Sequence, residues 1–117
     1  MAWWKEYFAD VDSMDMEKVG AWFAEDMNLR FGNAPAMQGR DTIIGSLRGF
    51  LSPFKSMKHE FGEVIESADG VFTEAAVTYS FPDGRAVTVP SATFMRRRGD
   101  KVSELRVFID LTPVFAQ

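Results

Sequence analysis

The chain carries 117 residues, 46% of them hydrophobic and 26% charged, with no cysteine, one histidine and a formal net charge of −4; it reads as a single globular domain, 1–117, that buries a core without disulfides or thiolate chemistry. The acidic balance argues against nucleic acid as a partner, and one histidine excludes a histidine-rich metal site. No 18 apolar residues run together and the N-terminus lacks an apolar signal core, so neither membrane nor secretion is indicated and a cytoplasmic location is expected.

Trp3, Tyr7 and Val11 recur every four residues with Trp4 and Phe8 beside them, which predicts a short amphipathic first helix. Asp12, Ser13 and Asp15 break it. Asp15 is placed to cap a second helix through Glu25, whose apolar face is Val19, Trp22 and Phe23. Asn28 to Phe31 reads as a short extended piece. After a Gly/Pro/Asn loop from Gly32 to Gly39, Asp41 is expected to cap a third helix with Ile43, Ile44, Leu47, Phe50 and Leu51 at helical spacing, ended by Pro53. From His59 onward, β-branched and aromatic runs alternate with the turns Asp69-Gly70, Pro82-Asp83-Gly84 and Gly99-Asp100. Four antiparallel strands follow, over 59–67, 71–81, 85–98 and 101–111. Strands this long twist and coil strongly. The expected class is α+β, a cone-shaped curved antiparallel sheet wrapped around three N-terminal helices.

That order of elements, with the stretch from Tyr7 to Asp15 leading into Trp22-Phe-Ala-Glu-Asp26, resembles the nuclear transport factor 2-like superfamily. Within it the chain is similar to the SnoaL-like polyketide cyclase and ketosteroid isomerase-like group, through Gly39-Arg40-Asp41, His59 at the start of the long strands and Arg106 to Asp110 in the last. The resemblance covers essentially the whole chain and implies the cone fold. It leaves activity open, since the superfamily holds isomerases, epoxide hydrolases, aldol-type cyclases and non-catalytic binding or dimerisation modules.

Counting inward from a two-residue Gly99-Asp100 loop sets Ala92 opposite Val107, and pairing Phe81 with Ala86 across the Pro-Asp-Gly turn sets Ala75 opposite Ala92, one row across the face taken as concave. Thr73, Val77, Tyr79, Phe94, Leu105 and Ile109 share that face in this register. Two facing alanines among Trp22, Phe23, Tyr79 and Phe94 leave volume for a small apolar pocket, unless a methionine fills it. The ligand-binding candidates are therefore Trp22, Tyr79, Ala75, Ala92, Phe94 and Val107. By resemblance, the epoxide hydrolase's Arg-x-Asp pair falls on Ala75 and Val77 and its further aspartate on Val107, while the isomerase's donor acid falls near Ala92 and its base near Phe31. None of those groups is present, which argues against both reactions. Tyr7 alone matches, at the isomerase's oxyanion tyrosine.

The catalytic candidates are His59, Asp110, Glu63 and Tyr7. Histidine is the side-chain type that titrates near neutrality. Turning Phe61 and Ile65 inward turns His59 and Glu63 inward too, and an inward Glu63 suits acid or base work; the other reading leaves His59 capping the strand at the surface. Asp110 matches the aspartate that serves as acid and base in SnoaL-type cyclases, yet the register turns it to the opposite face, so it is either a pocket acid or part of a structural hydrogen-bond set. No cofactor or metal motif is present. On the outer face Phe72, Val87, Val89, Met95 and Phe108 stand among Glu74, Thr78 and Arg106, which suggests a homodimer through that face. Arg96-Arg97-Arg98 with Lys101 reads as a solvated charged turn. Two functions stay open: a cofactor-independent cyclase- or isomerase-like enzyme acting on a small hydrophobic carbonyl ligand, with Tyr79 as a second donor, or a non-catalytic ligand-binding or dimerisation module.

Overall fold

In the computed structural model, which describes residues 2–116, helix α1 (Trp3–Asp12) turns Trp4, Tyr7 and Phe8 into the core. Helix α2 (Met16–Trp22) is capped as its sequence indicates, the Asp15 carboxylate accepting the N–H groups of Glu17 and Lys18. It ends at Trp22 rather than Glu25. Phe23 is already extended and opens strand β1 (Phe23–Phe31), which buries Phe23, Ala24, Met27 and Leu29; core burial along the strand outweighs helix propensity there. A short β2 (Met37–Gln38) pairs with β1. Helix α3 (Arg40–Leu51) starts after Gly39 at φ +99°, a conformation that favours glycine. Asp41 therefore does not cap the helix; its carboxylate pairs with Arg40 instead.

Strands β3 (Ser56–Glu66), β4 (Gly70–Ser80), β5 (Ala86–Arg98) and β6 (Lys101–Ile109) follow, then a single helical turn, α4 (Thr112–Phe115). The sheet order is β2-β1-β6-β5-β4-β3, with β1 parallel to β6 and every other pair antiparallel. The class is α+β, and the curved, unclosed sheet packs its inner face on the helices around Phe23, Met27, Ile43, Met95 and Val102. The accessible surface of 6716 Å² is close to the roughly 6,400 Å² expected for a folded chain of this mass. No helix among the described residues is long and apolar enough to cross a membrane.

The register departs from the sequence reading in one strand. β4 and β6 turn the expected residues inward, but β5 is turned over. At the Pro82-Asp83-Gly84 turn the Phe81 N–H bonds the Arg85 carbonyl and the ladder starts at Ser80↔Ala86, which pairs Ala75 with Ser91 instead of Ala92. At the other end a bulge at Ser103 shifts Arg96 from Ser103 to Glu104, which pairs Ala92 with Phe108 instead of Val107. The two one-residue offsets add to a two-residue shift between β4 and β6, which sets Ala75 level with Ile109 through Ser91; the even shift keeps their faces and leaves only β5 reversed. Val89, Ser91, Thr93 and Met95 are buried on the concave face. Ala92 and Phe94 belong to the convex face, so the row Ala75, Ala92, Val107 does not form.

A second bulge corrects β3. Phe61 pairs with Ala75 but Val64 pairs with Thr73, so Gly62 and Glu63 together oppose Glu74. His59 and Phe61 keep the inward parity, while the extra residue leaves Glu63 exposed and Ile65 69% exposed.

Candidate functional site

The site begins at the C-terminal end of α1. A carboxylate in the last turn of a helix opposes the macrodipole at a cost of about 0.3–1 kcal/mol, so Asp12 needs compensation. It comes from edge strand β3: Asp12 Oδ2 accepts the backbone N–H of His59 at 2.9 Å, and Asp12 Oδ1 lies 2.6 Å from His59 Nδ1. The imidazole is nearly buried, with 9% of its side chain exposed, and packs on Phe8 at 4.7 Å between ring centroids. A carboxylate oxygen accepts, so Nδ1 is the nitrogen placed to donate, and in the neutral ring Nε2 is the one that holds the lone pair.

His59 lies on the wall of a cavity of about 70 Å³ between the helices and the concave face. Most of the lining is apolar, from Val11, Met16, Val19, Leu51, Met57 and Val77 among others. Four hydroxyl-bearing residues, Tyr7, Tyr79, Ser91 and Thr93, also line it. Burial pushes the Tyr7 hydroxyl above the ordinary tyrosine range, and burial followed by the Asp12 charge pushes Tyr79 up to about 12. Both phenols are thus O–H donors across the neutral range. The chamber combines an oriented imidazole, two donor phenols and dry walls, an arrangement suited to moving a proton on a small neutral molecule.

A second, open hollow of about 950 Å³ adjoins it where β5 and β6 part. Their pairing stops at Ser91↔Ile109; Pro90, the next residue of β5, has no N–H to extend the ladder. Asp110 sits at this opening, fully exposed, and accepts the Thr112 N–H at 3.0 Å, which lowers its carboxyl below the ordinary range.

Of the residues singled out from sequence, His59, Tyr7, Tyr79 and Val107 line the inner chamber. Asp110 and Ala92 line the outer hollow instead. Trp22 faces away from the chamber, its indole N–H donating to Asp10 Oδ2 at 2.8 Å and its ring 6.4 Å from Trp3. Ala75 is buried on the concave face but borders a shallow depression near Gly62 and Pro90. Phe94 packs against Phe72 with ring centroids 4.8 Å apart and planes tilted by 41° on the convex face, and Glu63 is exposed on the bulge. Asp12, Ser91 and Thr93 were missed. For Asp12 the sequence held a signal, a carboxylate closing an amphipathic helix where a cation is preferred; for the other two the reversed β5 hid them. Among the described residues no group of three or more His, Asp or Glu side chains is arranged to hold a metal.

The family described as SnoaL-like domain matches residues 4–105. No curated protein matches. Among solved structures, an NTF2-like protein of unknown function from Burkholderia pseudomallei superposes with a TM-score of 0.82 at 17% identity, over 96% of this chain and 94% of that one. A candidate SnoaL-like polyketide cyclase from Jannaschia sp. CCS1 gives 0.73 at 22% identity, over 86% and 78%. A ketosteroid isomerase-like fold from Catenulispora acidiphila, in complex with trimethylamine, gives 0.75 at 23% identity, over 88% and 81%. These likenesses are of fold.

Proposed function

The chain belongs to the SnoaL-like domain family, and we propose that it binds a small carbonyl-bearing molecule in the concave chamber and moves a proton on it. The observation that carries this reading is the His59–Asp12 pair, 2.6 Å apart, on the wall of a largely apolar cavity. In the proposed step His59 Nε2 removes a proton from the carbon beside the carbonyl, and Asp12 holds the ring and stabilises the imidazolium. The enolate oxygen takes hydrogen bonds from Tyr7 and Tyr79. Returning the proton to a different carbon isomerises the substrate. Attack of the enolate on a second carbonyl of the same molecule closes a ring instead, and the imidazolium then gives its proton to the new alkoxide. The cyclase assignment of the Jannaschia protein and the small amine bound by the Catenulispora protein support small-molecule binding in this fold.

The test is deuterium incorporation from D₂O beside the carbonyl of a panel of aryl methyl ketones, followed by NMR. The wild type is expected to exceed the buffer rate, His59→Gln to lose about 10²–10⁴-fold, and Asp12→Asn to lose about 10–100-fold, the range seen when an orienting hydrogen bond is removed. Exchange at the buffer rate, or an unchanged His59→Gln, would sink the acid–base reading and leave a non-catalytic ligand-binding module, which the small size of the chamber would then favour.

A second copy is proposed to cover the convex face, where Phe72 is 47% and Phe108 53% exposed beside the Phe94 ring. Sedimentation velocity should give a dimer that Phe72→Asp converts to monomer; a monomeric wild type rejects the interface.

A further inference from the structure

The inner chamber is small. At about 70 Å³ it holds the equivalent of roughly two waters at about 30 Å³ each, well below the roughly 300–1,000 Å³ of ordinary ligand sites. The outer hollow, at about 950 Å³, is inside that range. The two are neighbours through a common wall of Leu29, Phe31, Leu47, Phe50, Ser91 and Ile109, each of which lines both. Phe50 is the aromatic side chain of that wall that reaches from Phe31 to Tyr79 of the chamber. It is half-buried, with its ring 5.2 Å from Phe31, 5.5 Å from Phe54, 5.9 Å from Tyr79 and 6.2 Å from Phe115 of α4.

The charges of the outer hollow are one-sided. Its lining includes Asp110 and, from the convex face, Glu74, whose Oε1 accepts the Glu63 N–H, together with Asn33, Ser46 and Thr112, and no Lys, Arg or His. The Thr112 N–H on its carboxylate keeps Asp110 ionised. An anion entering here gives up water without gaining a cationic partner and meets two like charges.

We infer that the ligand is bipartite and neutral or cationic, with a head group of a few atoms in the chamber, a larger body in the outer hollow, and Phe50 as the gate that sets how far the head enters. The head-group part rests on the acid–base reading above; the charge and gate parts rest on the walls alone. Carboxylates and phosphate-bearing carriers are disfavoured as the body of the ligand.

The probes are 2-acetonaphthone and 2-naphthoate, a neutral and an anionic molecule of nearly the same shape, titrated calorimetrically into the full chain. The ketone is expected to bind at least about tenfold more tightly. Phe50→Leu should tighten the ketone about three- to tenfold and Phe50→Trp weaken it by a similar factor, as a wall is opened or closed by a few methylenes. Asp110→Asn should narrow the ketone preference about two- to threefold, a small effect because the group is in water. If Phe50→Leu does not fold, Leu47→Ala opens the same wall and takes its place. Equal or tighter binding of 2-naphthoate, no saturable ketone binding, or Phe50 variants that shift affinity in the same direction would overturn the inference. Binding in the expected pattern without deuterium exchange leaves the charge and gate parts standing and removes the acid–base reading together with the head-group part; exchange without the charge preference or the Phe50 effect removes the charge and gate parts and leaves the acid–base reading.

Discussion

The two faces of the one sheet are both rich in large apolar side chains, yet they are built on different rules. The concave face of β4 to β6 sets Val77, Val89, Met95 and Leu105 beside the hydroxyls of Thr73, Tyr79, Ser91 and Thr93. The convex face interleaves Phe72, Phe94 and Phe108 with Glu74, Arg96, Glu104 and Arg106. There the charges serve each other: Arg96 donates to Glu104 at 2.8 Å, Arg106 pairs with the same carboxylate, and both guanidinium groups lie over the Phe94 ring at 5.0 and 5.4 Å. A desolvated face tolerates hydroxyls, which find partners cheaply, and rejects unpaired charge. Charge therefore separates the faces where hydrophobicity does not. The ionisable pair at the wall of the concave chamber, Asp12 and His59, comes from α1 and the edge strand β3, outside the three central strands.

The comparison breaks most readily at adjacent residues of β5. Met95→Ala removes a fully buried concave side chain and is expected to cost about 2–5 kcal/mol. Phe94→Ala removes a larger ring from the half-wet convex face and is expected to cost about 1 kcal/mol in the monomer. Urea unfolding of both variants checks the order; a reversed order would restore the alternative register of β5.

Next in size is the alkaline limb of stability. Tyr79, pushed up to about 12 by its burial and then by Asp12, binds its proton more tightly folded than unfolded, where a phenol titrates near 10. Its contribution is complete below pH about 10 and is lost as pH rises through about 12, on the order of 2 kcal/mol in all. Tyr7, shifted in the same direction, adds to the slope. Denaturation midpoints between pH 9 and 12 should fall less steeply for Tyr79→Phe than for the wild type. Equal slopes would mean that Tyr79 is not sealed on the concave side.

How far the site was legible follows from the same contrast. Helix periodicity, the Asp15 cap and the turn dipeptides are local signals, and they placed α1, the start of α2 and the succession of the four long strands. Register is not local. Each turn and bulge adds or removes one residue, and one residue exchanges the faces, so Ser91 and Thr93 were hidden by two offsets of that size. One residue carried the correction. The register that turned Ala92 and Phe94 inward also turned Arg96 inward, a buried guanidinium without an assigned partner, and that cost should have reversed β5. The His59–Asp12 contact was out of reach for another reason, since 47 residues separate the partners and nothing in either segment encodes their meeting. Asp12 could still have been marked as a misfit against its helix dipole.

The smallest expected effect tests the bulge that sets the two faces of β3. A Cβ at Gly62 would lie 2.6 Å from Glu74 Oε1, the oxygen that accepts the Glu63 N–H at 3.2 Å. The obstacle is the end of a flexible side chain on the wet convex face, so Glu74 can swing aside. Gly62→Ala then loses one exposed hydrogen bond, about 0.5–1.5 kcal/mol, and recovers about 0.4–1 kcal/mol from the reduced freedom of the unfolded chain. The net change in urea stability should stay within about 1 kcal/mol, while the Glu63 amide resonance shifts as its acceptor leaves. Adding Glu74→Ala should make Gly62→Ala neutral or stabilising, a non-additivity expected only for groups in contact. A loss above about 2 kcal/mol that persists in the double variant would locate the strain in the β3 backbone. Exposure of Glu63 and Ile65 would then depend on glycine itself, and no longer on the extra residue that lets β3 change faces.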